Sequence, residues 1–157
     1  MVDNMKPSRL YKRATSFAVL LVISSLSSSY ALSASDQYAI ISFNQELEPL
    51  SASKAKKLYR GKTKKLQGER IELSDWPEGA SVRNDFYQEL LGKTVAQMNA
   101  HWASLSFSGK ARPPKVAGGD ASSIIDWLDD DPGRIGYVPL DQVPSNANVI
   151  YVVGSEK

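Results

Sequence analysis

The chain has 157 residues, a formal net charge of +2 at pH 7 and no cysteine. The lack of cysteine excludes disulfides, thiol chemistry and cysteine-ligated metal, so packing alone must stabilise the fold. A chain of this length normally folds as one domain.

The start of the chain has the layout of a secretory signal peptide. Four basic residues come first, Lys6, Arg9, Lys12 and Arg13, and an apolar run at 14–23 follows them. Because a membrane-spanning helix needs roughly 20 apolar residues, this shorter run favours a cleavable signal over a permanent anchor. The sequence therefore predicts a signal peptide at 1–34 and one domain, exported to the periplasm, at 35–157.

The positive net charge belongs to this leader. It carries four of the 19 basic residues and one of the 17 acidic ones, which leaves 15 basic and 16 acidic residues in the rest of the chain. A domain with a net charge close to zero gives no reason to expect nucleic-acid binding.

The first elements of the domain are a strand, a helix and a second strand. Residues 38–43 are short, β-branched and apolar, as in a strand buried on both faces. A helix with a basic outer face is predicted at 52–60 and ends at Gly61. After a turn through Gly68, residues 71–74 alternate between apolar and polar, as a strand does.

Three helices and two strands follow. Residues 81–91 carry an apolar stripe at helical spacing, Thr94 caps a helix that reaches about Ser108, and Asp120 caps a helix at 121–129. Two prolines keep the segment before this last helix extended. Strands are predicted at 135–138 and 149–153. The alternation predicts an α/β fold with a mostly parallel or mixed sheet and helices on both faces.

The strongest compositional anomaly is a basic cluster of eight residues: Lys54, Lys56, Lys57, Arg60, Lys62, Lys64, Lys65 and Arg70. It predicts either the solvated back of an amphipathic helix or a surface for an anionic partner. Asp126 and residues 129–131 form an acidic counterpart.

The best candidate for a ligand site is the start of the helix at 81–91. Gly79, Ala80, Ser81 and Arg83 lie there, and the free backbone N–H groups of a helix start bind anions. The Ser81 hydroxyl and the Arg83 guanidinium would add donors. The alternative is an ordinary helix cap at Ser81 beside an exposed Arg83.

Other chemistry is not indicated. His101 is the single histidine, and no hydroxyl or carboxylate stands beside it in a catalytic pattern. One histidine does not make a zinc site, and the carboxylates lack calcium-loop spacing, so we expect no metal and no cofactor. The rings of Trp76, Trp102 and Trp127 could stack against a bound sugar, but Trp102 and Trp127 fit core packing better.

Several spaced elements together resemble a known family. They are residues 58–62 (LYRGK), Gly68, Ser81-Val82-Arg83 with Phe86-Tyr87, Trp102, residues 107–109 (FSG), Pro113-Pro114 and residues 132–138 (PGRIGYV). In this order they resemble the short, stand-alone members of the phosphate ABC transporter substrate-binding protein family, which have the type 2 periplasmic-binding-protein fold.

This resemblance implies a non-enzymatic protein that captures phosphate or a related oxyanion in association with a membrane transporter. Gly79, Ala80, Ser81 and Arg83 match the helix start that holds the oxyanion in the family. The chain is too short to contain both lobes of a full-length receptor, so the resemblance implies a weak site or one completed by a second copy. The alternative is a module that keeps the fold without a ligand and docks an envelope protein or surface through the basic cluster.

Overall fold

The computed structural model describes residues 37–154, and the predicted signal peptide at 1–34 lies outside them. The strands are β1 (Tyr38–Ser42), β2 (Lys65–Leu66), β3 (Glu69–Arg70), β4 (Glu72–Asp75), β5 (Lys115–Val116), β6 (Arg134–Pro139) and β7 (Asn148–Val153). The α-helices are α1 (Ala52–Tyr59), α2 (Ser81–Leu91), α3 (Val95–Phe107) and α4 (Ala121–Asp129), and a 3-10 turn covers Leu140–Gln142. Within residues 37–154, every helix is too short or too polar to cross a membrane.

Five strands form one mixed sheet in the order β5-β4-β6-β1-β7. Both neighbours of β4 run parallel to it, whereas both neighbours of β1 run antiparallel. All five residues of β1 are buried, which explains why four of them are apolar and only Ser42 is polar. The predicted α/β class with a mixed sheet is confirmed.

Helices cover both faces of this sheet. Gly136 and Tyr137 are consecutive residues of β6, so they face opposite sides of the sheet. A Cβ atom at Gly136 would lie 3.1 Å from Leu128 of α4, whereas the Tyr137 ring stacks on Phe86 of α2 at a centroid distance of 3.5 Å. The helices α4 and α2 therefore lie on opposite faces.

Caps explain why the helices start where they do. The Asp120 carboxylate accepts a hydrogen bond from the Ser123 amide at 2.8 Å, and Thr94 forms a reciprocal capping box with Gln97 at the start of α3. The hydrogen bond from Ser123 lowers the pKa of Asp120. The predicted bounds of α2 and α4 are confirmed.

Two elements differ from the prediction. The segment predicted only as extended ends in a short strand, β5, at the edge of the sheet. The other difference is at Gly68. The sequence predicted a turn through Gly68, and the structure has a two-stranded hairpin, β2–β3, around it. Gln67 and Gly68 both have positive φ angles, 50° and 93°, as tight hairpin turns require. The strands have two residues each, too few for alternation to show in the sequence.

Candidate functional site

A buried carboxylate organises the edge of the sheet where β4 ends. Asp75 is 2% exposed, and its two oxygens accept four hydrogen bonds. The donors are the Trp76 amide at 2.8 Å, Arg83 Nε at 2.9 Å, the Tyr87 hydroxyl at 2.7 Å and the Tyr137 hydroxyl at 2.5 Å. These bonds use the acceptor capacity of the carboxylate, which leaves Asp75 as a structural anchor.

Arg83 is held by this anchor. The residue is 8% exposed, its Nε donates to Asp75, and its Nη2 donates to the Asn99 side-chain oxygen at 2.9 Å. Burial alone would lower the pKa of Arg83, but the charge of Asp75, the contributions of Tyr87 and Tyr137 and the hydrogen bond to Asp75 together outweigh it, so the pKa is raised. The alternative of an exposed Arg83 is wrong, because the side chain turns inward to the end of β4.

Three tyrosines surround the carboxylate in an aromatic cluster with Phe86. Burial, and after it the negative charge of Asp75, raises the pKa of Tyr87 and Tyr137 well above 10. Burial, followed by the charges of Tyr87 and Asp75, does the same for Tyr59, whose buried hydroxyl has no partner within the described residues. The three tyrosines are therefore neutral at physiological pH, and Arg83 is the residue that compensates the negative charge of Asp75.

A pocket of ≈ 290 Å³ opens beside this network. Its polar lining consists of Asp75, Arg83, Asn99 and Ser106, and its apolar lining consists of Trp102, Ala103, Pro113, Pro114 and Val116. Asp75 and Val116 are the last residues of the parallel strands β4 and β5, and α/β sheets commonly bind ligands at the carboxyl ends of their strands.

The start of α2 adjoins the pocket through Arg83. Ala80 is the N-cap and makes no side-chain capping bond, so the alternative of Ser81 as the cap is wrong: Ser81 is the first helical residue. Gly79 and Ser81 are exposed. Toward the residues that the structure describes, the amides of Ser81 and Val82 donate no hydrogen bond.

A second carboxylate lies at this helix start. Glu78 accepts a hydrogen bond from Asn99 at 2.9 Å, and the same Asn99 accepts from Arg83. The amide of Asn99 therefore links Glu78 to the buried ion pair. Because one guanidinium faces two carboxylates, the charged groups here sum to about −1, which disfavours tight anion binding in water.

The structure thus separates the four predicted site residues. Gly79, Ala80 and Ser81 lie together at the open helix start, whereas Arg83 points into the protein. Sequence reasoning missed Asp75 and Asn99. Asp75 follows the predicted strand at 71–74 and stands eight residues before Arg83, and this position was the one signal in the sequence that could have indicated the ion pair.

The contacts of His101 and of the three tryptophans indicate structural roles. His101 Nε2 lies 3.1 Å from the Arg60 carbonyl oxygen, and its ring contacts Trp102 edge to face. Trp76 and Trp102 are buried, while Trp127 lies under the Arg134 guanidinium at 4.5 Å. The described residues contain no cluster of acidic or histidine side chains that could hold a metal ion.

Two solved structures share this architecture. A phosphate transport receptor from Vibrio cholerae is 13% identical, with a TM-score of 0.56, and the alignment covers 73% of this chain and 45% of the receptor. A protein from Clostridium perfringens assigned as a phosphate ABC transporter substrate-binding protein, solved with bound phosphate, is 18% identical, with a TM-score of 0.56. That alignment covers 73% of this chain and 44% of the protein.

The chain has the fold of these binding proteins. The resemblance stated from the sequence is therefore confirmed at the level of the periplasmic-binding-protein fold. The chain spans less than half the length of either solved protein. No protein-family model and no curated protein sequence matches it.

Proposed function

We propose that this protein is an exported, non-enzymatic solute-binding protein of the periplasm that binds phosphate or a related oxyanion in association with phosphate transport. The observation that carries the proposal is the open start of α2, where the amides of Ser81 and Val82 donate to no described residue. The backbone amide of exposed Gly79 and the hydroxyl of exposed Ser81 add two further donors, and such a set suits an oxyanion. Two proteins with this fold are phosphate-transport proteins by their descriptions, and one was solved with phosphate.

The role of Arg83 in this site is to bring positive charge to the pocket wall. Its Nε and Nη2 groups donate to Asp75 and Asn99. Because Asp75 offsets the charge of Arg83 and Glu78 lies nearby, we expect weak binding, with a dissociation constant in the millimolar range. A helix start contributes only about 0.3 to 1 kcal/mol at an exposed site.

A second copy of the chain would raise this affinity by covering the pocket. Two large apolar side chains stand out as exposed in the described part of the chain: Phe107 at 98% and Val116 at 55%. Val116 lines the pocket, and Phe107 follows the lining residue Ala103 by one helical turn. A homodimer through these two side chains would shield the pocket wall that Arg83 forms from water and strengthen the hydrogen bonds of an anion beside it.

The surroundings of the nearest catalytic candidates favour binding over catalysis. His101, the residue best suited to act as a base, lies against a backbone carbonyl oxygen instead of a hydroxyl nucleophile. The Asp75 carboxylate has its acceptor positions occupied. We therefore propose a receptor role, with a membrane transporter or another envelope protein as the partner.

The test is isothermal titration of the protein with phosphate and sulfate, using Ser81→Asp as the main variant. A carboxylate at the first helical position repels an anion at the Ser81 amide, while it interacts favourably with the helix dipole and should not disturb folding. The matched control is Ser122→Asp, at the exposed second position of α4. We expect phosphate binding to disappear in Ser81→Asp and to persist in the control.

Two results would contradict the proposal. The wild-type protein could give no heat with either anion at millimolar concentrations, or the Ser81→Asp and Ser122→Asp variants could bind phosphate equally well. Gel filtration tests the second copy separately: we expect a dimer for the wild-type protein and a monomer for Phe107→Ser. A wild-type monomer that still binds phosphate would contradict the dimer alone.

A further inference from the structure

The members of the basic cluster lie on α1, on the turn that follows it and on the β2–β3 hairpin. All six lysines are exposed, and the buried side of α1 consists of Ala55, Leu58 and Tyr59. Gln67, at the hairpin turn, joins the segment before α1: in the amide orientation that satisfies both groups, it donates to the Glu46 carbonyl at 3.1 Å and accepts from the Glu48 amide at 2.8 Å. The hairpin is therefore tied to the body of the domain.

Charge is distributed unevenly between this surface and the rest of the domain. Residues 54–70 contain eight basic side chains and one acidic side chain, Glu69. The other described residues contain six basic and 13 acidic side chains. A nearly neutral chain therefore concentrates its positive charge in one segment, where it produces a local positive field.

These charges are not neutralised within the described part of the protein. The ion pairs there are formed by Arg83 and Arg134, and no member of the basic cluster takes part in one. In the hairpin, Lys65 lies directly opposite Arg70 in the antiparallel register. Like charges at such positions destabilise a hairpin. The cluster therefore keeps a repulsive pair that an acidic side chain at either position would relieve.

The composition of the surface distinguishes between kinds of anionic partner. Leu58 and Leu66 are buried, so the surface offers no large apolar side chain to anchor a protein partner. Six of the eight members are lysines, whose flexible point charges suit many dispersed phosphates better than one bidentate contact. A lipid headgroup surface presents its negative charge in this dispersed way.

We propose that the basic cluster docks the protein on an anionic phospholipid surface. The site is separate from the start of α2 and does not depend on phosphate binding there. Each lysine close to an anionic membrane contributes about a fivefold factor in affinity, so several together give useful binding although each is weak. This docking would hold a solute-binding protein next to the bilayer.

The test is cosedimentation with phosphatidylcholine vesicles that contain or lack phosphatidylglycerol. The main variant carries Lys57→Gln, Lys62→Gln and Lys64→Gln. The matched control removes three exposed charges outside the cluster by Lys93→Gln, Lys110→Gln and Arg112→Gln. All proteins are compared in the same form of the chain, so any contribution from residues 1–34 is common to them.

We expect wild-type protein to bind the anionic vesicles at low salt, to dissociate as salt rises, and to ignore the neutral vesicles. The main variant should lose about a hundredfold in affinity and the control should stay within about fivefold of wild type. Equal losses in both variants, or equal binding to both kinds of vesicle, would overturn the proposal. Binding to dextran sulfate without binding to vesicles would also overturn it and would assign the cluster to an envelope polymer.

Discussion

Asp75 and the basic cluster show two opposite treatments of charge in one small domain. The Asp75 carboxylate is buried, paired with Arg83 and saturated with hydrogen bonds. The lysines of the basic cluster are exposed and form no ion pair with a described residue. The first arrangement is costly to break, whereas the second can be altered with little effect on the fold.

This difference separates stability from binding. A buried carboxylate with several partners joins β4, α2 and β6 into one unit, and removing it leaves the Arg83 charge without compensation. Exposed lysines contribute little to folding and remain available to a partner. Substitutions in the two regions should therefore give opposite patterns: large losses of stability at Asp75, and changes in binding with little loss of stability at the cluster.

The largest effect is expected for Asp75→Asn. This change leaves the Arg83 charge buried and unpaired, so we expect it to lower the free energy of unfolding by about 3 to 5 kcal/mol. Urea denaturation followed by circular dichroism measures the difference. Asp126→Asn, an exposed position on α4, is the control and should change stability by no more than about 0.5 kcal/mol. Similar small losses in both variants would show that the network around Asp75 does not stabilise the fold.

The next effect is an instability at alkaline pH. In the folded state the pKa of Tyr59, Tyr87 and Tyr137 is raised well above 10, whereas in the unfolded chain it is about 10. Below pH 10 both states are neutral and the protein keeps its full stability. Above pH 10 the unfolded chain ionises first, so the free energy of unfolding falls as the pH rises. Each of the three tyrosines should lower the free energy of unfolding by up to about 1.4 kcal/mol per pH unit above pH 10.

Unfolding curves between pH 8 and pH 12 measure this slope. The variant Tyr137→Phe should show a shallower slope than wild type, because it lacks one ionising group. An unchanged slope would indicate that Tyr137 ionises as easily in the folded protein as in the unfolded chain.

The smallest effect is expected in the hairpin and has the opposite sign. Lys65→Glu replaces a like-charged pair with an ion pair to Arg70, so we expect stability to rise by about 0.2 to 1 kcal/mol while binding to anionic vesicles falls. Thermal unfolding and cosedimentation on the same sample measure both effects. The control Lys93→Glu lies outside the cluster, and a loss of stability in Lys65→Glu would contradict the interpretation of the hairpin.

The sequence predicted the fold well because its signals are local. Apolar periodicity and caps such as Asp120 identified α2 and α4 with correct bounds, and the mostly apolar run that begins at Tyr38 indicated a strand buried on both faces. The hairpin could only be predicted as a turn, because strands of two residues carry no periodicity. Its two positive φ angles become visible only in three dimensions.

The candidate site was harder to predict because its contacts join distant residues. Tyr87 lies 12 positions from Asp75 and Tyr137 lies 62 positions away, so no sequence window contains the network. The helix start was found because glycine and serine before an apolar stripe are a local signal. The direction of Arg83 was not predictable, because it depends on a carboxylate at the end of a neighbouring strand.

Trp102 gives the pocket and the basic cluster a common structural element. Its indole lines the pocket, and its six-membered ring lies against Gly61, where an added Cβ would be 2.7 Å from Cζ3. Gly61 follows the last turn of α1 and has a φ of 67°, so no larger residue fits there without moving the tryptophan. A pocket occupant that shifted this ring toward Gly61 would therefore displace the turn that carries Arg60 and Lys62. If a ligand in the pocket and a membrane at this turn each favoured one position of the ring, each would change the affinity for the other by the same factor.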